Sequence, residues 1–409
     1  MPENNFDLVI IGGGAAGLAA AVFAGRRKIK TAVFEQLPSP GRKLLSTGGG
    51  HCNITNTASR EYFYDSFGRN GRFIAPAMEN FDNNDLSDFF KNIGVALHST
   101  DGFHKFPKSG KATEVLQALL NECERLKIPI FTSSRITGII ISDGFVRAVS
   151  LGEREVGAKN ILIATGGLSY PELGSTGDGY NLAKIAGHSI VEPVPALVEL
   201  YCEEKWLANL SGVSLKDVEI SVPKSRIRNQ RGEFLFTHNG MSGPAALNIS
   251  GDISALLLDK NPIEARINFF PFKDSNFWTV KFAEWRHKSG NTGIVKLLSE
   301  YMPKSLAQTF CELSSANFAK ASQIASNSQK KLLDLLTGAP VHIKGNAGFG
   351  RAMLTKGGVS LKEVDPRSLE SKIVKGLFFA GELLDVQGPC GGFNLQWAFS
   401  SANLATKSI

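Results

Sequence analysis

A cluster of glycines near the start of the chain has the spacing that dinucleotide binding requires. Gly12, Gly14 and Gly17 follow the apolar residues 8–11, and Glu35 closes the next apolar run. In such a strand–turn–helix unit, the first glycine permits the turn, the second lets a pyrophosphate approach the backbone, and the third allows the helix to pack on the strand. The acid can accept hydrogen bonds from a ribose, and the helix N-terminus attracts phosphate. The pattern therefore predicts a dinucleotide site.

A second glycine-rich element spans residues 41–53 and carries two adjacent cations, Arg42 and Lys43. Cationic side chains and exposed backbone N–H groups, placed shortly after the ribose-binding acid, suit the second face of a pyrophosphate or the polar edge of a flavin. The residues of this element that we predict to contact the cofactor are Arg42, Lys43, Ser46, Gly48, Gly49 and Asn53.

Two further glycine-marked elements follow apolar runs later in the chain. One consists of Ala164, Thr165 and Gly166, and the other contains Gly381, Glu382 and Asp385 and then continues through Gly391, Gly392, Phe393, Asn394 and Leu395. An acid near a strand end can hold ribityl hydroxyls, and a helix that begins after Gly392 can stabilise negative charge near flavin N1 and C2=O. NAD would need only the first element, so four such elements favour FAD.

The periodicity of the sequence predicts the elements that position these residues. We expect strands at 8–11, 31–34, 159–163 and 376–379, amphipathic or buried helices at 112–126 and 395–404, and a hairpin around Asp143 and Gly144. Short alternating segments through residue 272 predict a β-rich unit, and residues 274–336 have a helical period. The predicted fold is α/β, a Rossmann-like FAD-binding domain interrupted by a β-barrel-like insert and a helical subdomain.

These patterns also predict domain boundaries. The FAD-binding domain comprises residues 1–192 and 345–409, the β-rich insert, which we expect to hold the substrate, comprises 193–272 and 337–344, and the helical subdomain comprises 273–336. The basic segment 224–231 alternates charged with apolar or polar residues, which is typical of an exposed edge strand and less typical of a site for RNA or an acidic partner.

The composition is that of an ordinary globular protein. The formal net charge is +7 and the sequence has no block of five or more like charges, so nucleic acid is an unlikely partner and a membrane is not expected. Five cysteines without a CxxC pair argue against a disulfide framework and a zinc site, and no metal is expected. Residues 1–7 do not resemble a secretion signal, and no apolar run is long enough to span a bilayer. We therefore expect a cytoplasmic protein, and the sequence does not reveal its oligomeric state.

The chain resembles the bacterial BaiN-like family of FAD-dependent oxidoreductases over essentially its whole length. The motifs that carry this resemblance are residues 12–17, 41–49, 164–167, 236–244 and 381–398. The resemblance implies an FAD domain of the glutathione-reductase type with a β-barrel insert and a helical subdomain. It implies FAD contacts at Gly12, Gly14, Ala15, Ala16, Glu35, Arg42, Lys43, Ile136, Ala164, Thr165, Gly166, Gly381, Glu382, Asp385, Gly392 and Asn394.

Some family members resemble reductases of conjugated carbon–carbon double bonds in steroid-like substrates, and others resemble amine oxidases. This chain departs from the family pattern at His51, where arginine is common, and at Cys390, where threonine is common. His51 could be a cation beside the flavin or a tolerated loop substitution, and Cys390 is expected to have a small packing role.

The catalytic acid or base is not determined by the sequence. His238 and His51 are candidates for catalysis, and Phe106, Thr237, His238 and Cys390 are candidates for substrate contact. The alternative for Phe106 is a core aromatic, and the alternative for His238 is a structural histidine in a turn.

We predict an FAD enzyme that transfers a hydride through flavin N5 to reduce an unsaturated small organic substrate. Residues 345–350 lack the acid of a second fingerprint, so NAD(P)H, if it is the donor, binds transiently. The alternatives are a flavin amine oxidase that uses O2 and, in another class, an RNA-binding flavoprotein or a noncatalytic redox-responsive module.

Overall fold

The structure is a computed structural model that describes residues 5–409, and these residues form two compact units. The first unit comprises residues 5–195 together with Ala352–Ile409, and the second comprises Ala196–Arg351. The second unit is thus inserted into the sequence of the first. The division into three domains, with a separate helical subdomain, remains a prediction.

Strands account for the sheets of both units. They are β1 (Asn5–Ile11), β2 (Thr31–Phe34), β3 (Thr55–Asn56), β4 (Leu97–His98), β5 (His104–Pro107), β6 (Ile130–Phe131), β7 (Gly138–Ser142), β8 (Phe145–Leu151), β9 (Arg154–Ile163), β10 (Ile190–Ala196), β11 (Leu200–Cys202), β12 (Ser214–Ser221), β13 (Gln230–Phe236), β14 (Gly240–Ser242), β15 (Ile263–Asn268), β16 (Ala339–Asn346), β17 (Leu354–Val359) and β18 (Leu377–Phe379).

The α-helices lie between these strands. They are α1 (Ala15–Arg26), α2 (Arg42–Ser46), α3 (Arg60–Ser66), α4 (Gly71–Asn80), α5 (Asn83–Asn92), α6 (Ala112–Arg125), α7 (Asp178–Ile185), α8 (Lys205–Ala208), α9 (Pro244–Leu256), α10 (Ser275–Lys288), α11 (Ile294–Leu298), α12 (Lys304–Leu313), α13 (Ser326–Gly338) and α14 (Phe393–Lys407). Short 3-10 turns occur at Thr47–Gly50, Gly68–Asn70, Pro171–Leu173, Leu361–Glu363 and Gly381–Leu383.

The main sheet of the first unit brings four parallel strand ends to one edge. Its strand order is β6-β2-β1-β9-β8-β7, and β18 also pairs with β9. Ile11 is in register with Phe34 and with Ile163, and Ile163 is in register with Phe379. The residues that follow these four positions therefore emerge together at the carboxyl edge, where ligands bind in open α/β sheets.

The helices that cover this sheet are built from small and apolar residues. Ala19, Ala20 and Ala21 of α1 are fully buried, and α1 packs closely against α14. Small side chains allow this close approach, which buries most of α14 as well. A three-stranded sheet, β3-β5-β4, belongs to the same unit and contacts the start of α14 through β3.

The second unit contains a closed barrel with the strand order β11-β14-β13-β12-β15-β16. Helices α10–α13 share one apolar core with the barrel, as the ring contact between Phe269 and Phe310, 5.2 Å between centroids, illustrates. The predicted fold class, a Rossmann-like α/β domain interrupted by a β-barrel and helices, is confirmed.

The prediction of an edge strand at 224–231 is wrong. Residues 222–229 form the connection between β12 and β13, so within 224–231 only Gln230 and Arg231 belong to a strand. Pro223 and the left-handed backbone of Lys224, with φ of 58°, interrupt the extended conformation. β13 pairs with β12 on one side and with β14 on the other, so it is not an edge.

Among residues 5–409, no helix has the length and apolar composition needed to cross a membrane. The interpretation that residues 1–7 are not a secretion signal concerns a segment whose first four residues lie outside the described range.

Candidate functional site

A cavity of about 200 Å³ lies at the carboxyl edge of the main sheet, within the first unit. The predicted cofactor residues that line it are Gly12, Gly14, Ala15, Ala16, Glu35, Arg42, Lys43, Ile136, Ala164, Thr165, Gly166, Gly381, Glu382, Asn394 and Leu395. Residues from positions 12 to 395 thus meet at one place because the parallel strands end in register there.

The three fingerprint glycines occupy three different environments. Gly12 has φ of 102°, and a Cβ on it would lie 2.7 Å from the carbonyl oxygen of Ala164. A Cβ on Gly17 would collide with the carbonyl oxygen of Gly12, so this glycine lets α1 pack on its own turn. A Cβ on Gly14, which precedes α1, would meet no atom within 4 Å. The open position therefore lies at the helix N-terminus, where backbone N–H groups bind anions.

Glu35 connects the second strand to the fingerprint turn. Its Oε2 accepts a hydrogen bond of 2.7 Å from the Gly13 N–H, and its Oε1 accepts one of 2.8 Å from the Leu37 N–H. The side chain is buried and lines the cavity. A carboxylate has about four acceptor positions, so the fixed group retains capacity for ribose hydroxyls.

The two cations of the second glycine-rich element have different surroundings. The Lys43 ammonium lies 2.5 Å from Oε2 of Glu382 and donates to Oγ of Ser169. The exposed Arg42 guanidinium makes no hydrogen bond or ion pair with another residue in the range 5–409. Arg42 is therefore the cation that is available to a ligand phosphate, whereas Lys43 holds an acid in the cavity wall.

Glu382 is fixed from three directions. Besides Lys43, its Oε1 accepts hydrogen bonds from the Ser169 hydroxyl at 2.6 Å and from the Thr355 N–H at 2.9 Å. The Thr355 hydroxyl in turn accepts from the backbone N–H groups of Leu168 and Ser169. Sequence analysis missed Ser169 and Thr355, because hydroxyl residues in loops and short strands carry no distinctive spacing.

The remaining part of the fourth element forms the start of α14. Gly381 has φ of 73°, and its carbonyl oxygen accepts a hydrogen bond of 3.1 Å from the Trp397 indole. The Asn394 side chain accepts from the Gly388 N–H and donates to the Gly388 and Pro389 carbonyl oxygens. These contacts fix the loop that leads into α14.

Ile136 and Arg135 lie just before β7, at another wall of the cavity. The Arg135 guanidinium makes two hydrogen bonds, of 2.9 and 2.7 Å, to the Asp178 carboxylate. Sequence analysis identified Ile136 only through the family resemblance and did not identify the Arg135–Asp178 pair, whose members lie 43 positions apart.

Several predicted cofactor residues lie outside the cavity lining. They are Gly17, Ser46, Gly48, Gly49, Asn53, Asp385, Gly391, Gly392 and Phe393, and Phe106 and Cys390 also lie outside it. Phe393 packs on Phe63, with 4.9 Å between ring centroids. Asp385 lies 3.5 Å from the Arg69 guanidinium, and burial raises the pKa of its carboxyl group.

Some of these residues meet each other beside β3 and the start of α14. In the amide orientation that its neighbours require, Asn53 accepts from the Gly392 N–H at 3.1 Å and donates to the Thr55 carbonyl oxygen at 2.9 Å. A Cβ on Gly392 would lie 2.5 Å from that same carbonyl oxygen. Glycine at this position therefore allows the helix N-terminus to contact the strand directly.

The less specific candidates occupy varied positions. His51 is exposed, and its Nδ1 lies 2.8 Å from the Gly110 carbonyl oxygen, a contact within loops. Burial raises the pKa of the Cys390 thiol to about 11, which keeps it in the less reactive protonated form. Thr237 and His238 lie in the turn between β13 and β14 of the second unit, and their predicted substrate contact remains a prediction.

In the described part of the chain, no cluster of three or more His, Cys, Asp or Glu side chains could hold a metal ion.

Comparisons with known proteins agree with this architecture. The model of the family described as HI0933-like protein Rossmann domain matches residues 6–408. The chain is 33% identical over 406 residues to a 3-dehydro-bile acid delta(4,6)-reductase of Clostridium scindens, with 98% of each chain covered. It is 32% identical over 409 residues to a ribosomal RNA dihydrouridine synthase of Escherichia coli, with 98% of this chain and 96% of that protein covered.

A solved structure with a similar fold is the 3-ketosteroid-delta4-(5alpha)-dehydrogenase of Rhodococcus jostii. Its TM-score is 0.54 at 16% sequence identity, with 100% of this chain and 97% of that chain covered. At this identity the likeness concerns the fold alone.

Proposed function

Because the chain belongs to the HI0933-like Rossmann-domain family and is an FAD-dependent oxidoreductase, we propose that it reduces a carbon–carbon double bond conjugated with a carbonyl group in a small organic substrate. NAD(P)H is the proposed electron donor. The observation that carries the proposal is the pair of relatives that match nearly the whole chain. A delta(4,6)-reductase acts on double bonds, and dihydrouridine differs from uridine by two hydrogens on a ring double bond conjugated with a carbonyl.

The cavity of the first unit fits the adenosine diphosphate half of FAD. Open space at Gly14, the N–H groups at the start of α1 and the exposed Arg42 guanidinium together suit a pyrophosphate. The buried carboxylate of Glu35 suits the adenosine ribose, and Ile136 suits the adenine. We therefore assign these residues to the binding of this half.

We assign the flavin half to Thr165, Gly381 and the start of α14. Bound FAD supplies hydride transfer at flavin N5, a reaction for which the protein provides orientation and electrostatic stabilisation. The dipole of the 15-residue helix α14 stabilises negative charge near its N-terminus. The Lys43–Glu382 ion pair holds one wall of the cavity in a fixed position, so the cofactor enters a preformed site.

The same geometry supports transient binding of NAD(P)H. Gly345 belongs to β16, which pairs antiparallel with β11 and β15 in the barrel. A Rossmann phosphate loop instead follows a parallel strand and opens a helix. We infer that the glycines at 345–350 do not form a second dinucleotide site, and that the electron donor binds at the FAD-containing unit.

Anaerobic mixing of the FAD-loaded protein with NADH, NADPH or candidate amines tests the proposal. We expect NADH or NADPH, and not an amine, to bleach the flavin, and a conjugated enone to restore its colour while being converted to the saturated ketone. The matched saturated ketone is the control and should leave the flavin reduced. Reduction by amines followed by oxidation with O2 alone would favour an amine oxidase, and no reduction by any donor would favour a noncatalytic module.

Uracil in RNA is the second candidate substrate, and an exposed basic surface of the second unit favours it. Arg226 and Arg228 are exposed in the β12–β13 connection, so they are not explained by an edge strand. Phe272 is 78% exposed, and the Arg231 guanidinium lies 3.6 Å from its ring centroid. An exposed aromatic ring beneath Arg231, which is itself ion-paired with Asp217, together with the exposed Arg226 and Arg228, is suited to base stacking and phosphate contact.

Incubation of the reduced enzyme with ribosomal RNA, followed by mass spectrometry of the nucleosides, distinguishes the two substrates. Dihydrouridine formation that weakens in the Phe272→Ala and Arg228→Gln variants supports RNA as the substrate. Turnover of a free enone with no RNA product and no salt-sensitive RNA binding supports the small molecule.

A further inference from the structure

Asp101 and His104 form a hydrogen-bonded pair in the first unit, outside the cavity described above. His104 Nδ1 lies 2.5 Å from Oδ2 of Asp101. The other carboxylate oxygen accepts hydrogen bonds of 2.9 Å from the Phe103 and His104 N–H groups. The hydrogen bond from the His104 side chain and those from the backbone N–H groups of Phe103 and His104 lower the pKa of Asp101, so the carboxylate is ionised and holds the Nδ1 proton.

The opposite edge of the imidazole faces the residues that precede α14. Gly391 has φ of 114°, and a Cβ on it would lie 3.2 Å from Nε2 of His104, so a side chain at this position would be strained and would crowd this edge of the ring. His104 is the first residue of β5 and is in register with Asn56 of β3, whose side chain donates 2.8 Å to the Gly391 carbonyl oxygen. Within the described range, Nε2 has no hydrogen-bond partner.

The pair combines a fixed tautomer with access to solvent. Because Asp101 occupies Nδ1, the second proton of the imidazolium is carried by Nε2 alone. The side chain of His104 is 36% exposed, so water can return a proton to it. Phe103 covers another side of the ring at 5.0 Å between centroids. This arrangement orients one exchangeable proton toward the loop at Gly391.

We propose that His104 is a catalytic acid for the reduction, and that Asp101 is its positioning residue. The inference rests on the proposed function, because reduction of a conjugated double bond needs both a hydride and a proton. Bound FAD would supply the hydride at the β-carbon, and the enolate formed in the substrate would then need a proton. The α-carbon then takes the Nε2 proton, so a C–H bond forms as the N–H bond breaks, and neutral imidazole is reprotonated by water.

Nitrogen NMR of the histidine side chains tests the placement without any substrate. In the FAD-free protein, His104 is expected to carry its proton on Nδ1 in the neutral form, and Asp101→Asn is expected to lose this preference while Asp101→Glu partly restores it. Addition of FAD to the wild-type protein should shift the Nε2 resonance of His104. The Nε2 resonance of His98, on the neighbouring strand β4, is the internal control and should not move.

Half-reaction kinetics test the role. In His104→Gln, reduction of the flavin by the donor should keep its wild-type rate, whereas reoxidation by the conjugated substrate should slow about 100-fold and lose its solvent isotope effect. His98→Gln is the matched control and should keep both rates. Equal rates of reoxidation in His104→Gln and wild type would overturn the acid role.

The two proposals fail in different ways. If FAD shifts the Nε2 resonance but no conjugated substrate reoxidises the wild-type enzyme, the proposed function and the acid role are both wrong, although His104 does lie at the cofactor. If FAD leaves this resonance unchanged while the wild-type enzyme reduces an enone, the proposed function stands and the inference on His104 is overturned.

Discussion

Lys43 and Glu382 form a 2.5 Å ion pair although 339 positions separate them in the sequence. Lys43 follows the first cofactor-binding strands, and Glu382 follows the last strand of the main sheet. Both side chains are mostly buried, with 21% and 15% of their surface exposed. The pair therefore joins the two ends of the interrupted unit across the wall of the cavity.

The adjacent cations Arg42 and Lys43 should respond differently to the same substitution. Lys43→Met leaves the Glu382 carboxylate with an unsatisfied charge, so we expect the free energy of unfolding of the FAD-free protein to fall by about 1–2 kcal/mol. Arg42→Met removes an exposed cation that has no ion pair within residues 5–409. It should change that stability by less than about 0.5 kcal/mol while weakening FAD binding about tenfold.

Urea unfolding and FAD titration of both variants measure these effects. The double variant Lys43→Met/Glu382→Gln should recover part of the lost stability, because the two residues are in contact and their effects are not additive. Equal stability losses in Arg42→Met and Lys43→Met would contradict the assignment of the two cations.

Gly14 and Gly17 provide a second matched pair. Gly17→Ala introduces a methyl group that collides with the Gly12 carbonyl oxygen, so the FAD-free protein should lose about 1–3 kcal/mol of stability. Gly14→Ala meets no protein atom and has φ of −82°, which alanine adopts without strain. It should fold as the wild type does but bind FAD more weakly, since its methyl group points into the open position.

Thermal unfolding of the FAD-free variants and FAD titration distinguish these outcomes. A Gly14→Ala protein that binds FAD with unchanged affinity would show that no phosphate lies at the start of α1.

The stability of the first unit should decrease in acid because of Glu122. The hydrogen bonds from Arg125 and Arg26 lower the pKa of Glu122 to about 2, although burial acts in the opposite direction. A carboxyl group whose folded-state pKa is depressed stabilises the fold above its unfolded-state value and loses this contribution as the pH falls through the folded-state value.

We therefore expect a loss of about 2 kcal/mol between pH 5 and pH 2 that is attributable to this group, after allowance for the exposure of the arginines. Urea unfolding at a series of pH values measures it. The Glu122→Gln variant should have a lower free energy of unfolding at neutral pH, and this free energy should fall less as the pH decreases. A variant whose stability depends on pH as the wild type's does would exclude the role of Glu122.

Cys390 should not take part in redox chemistry. Burial raises the pKa of its thiol to about 11, so little thiolate exists at pH 8. Cys390→Ser should keep both half-reactions, and maleimide should label this thiol slowly in the native protein. Rapid labelling that abolishes flavin reduction would indicate a direct role and would contradict the expected packing role.

The sequence predicted the elements with strong local patterns and missed those determined by tertiary contacts. The hairpin around Asp143 and Gly144 and the helix α6 lie within a residue or two of the predicted positions, because turn chemistry and helical periodicity are local. The segment 224–231 was misassigned, since alternation alone does not reveal that Lys224 adopts a left-handed backbone and that the barrel closes.

The candidate site shows the same limit. Glycine fingerprints identified most of the cavity wall, because positive φ angles and close backbone contacts select glycine. The hydrogen bonds that fix Glu382 involve Ser169 and Thr355, and the Asp101–His104 pair depends on one turn, so neither has a distinctive spacing in the sequence.

The most direct measurement of the central claim is the anaerobic reoxidation of the reduced, FAD-loaded protein by a conjugated enone, followed by flavin absorbance and by mass spectrometry of the product. We predict that the oxidised flavin spectrum returns in a saturable reaction with one equivalent of saturated ketone, and that the saturated ketone itself has no effect. A reduced flavin that is stable toward every conjugated carbonyl compound, including uracil in RNA, and that is reoxidised only by O2 would contradict the account.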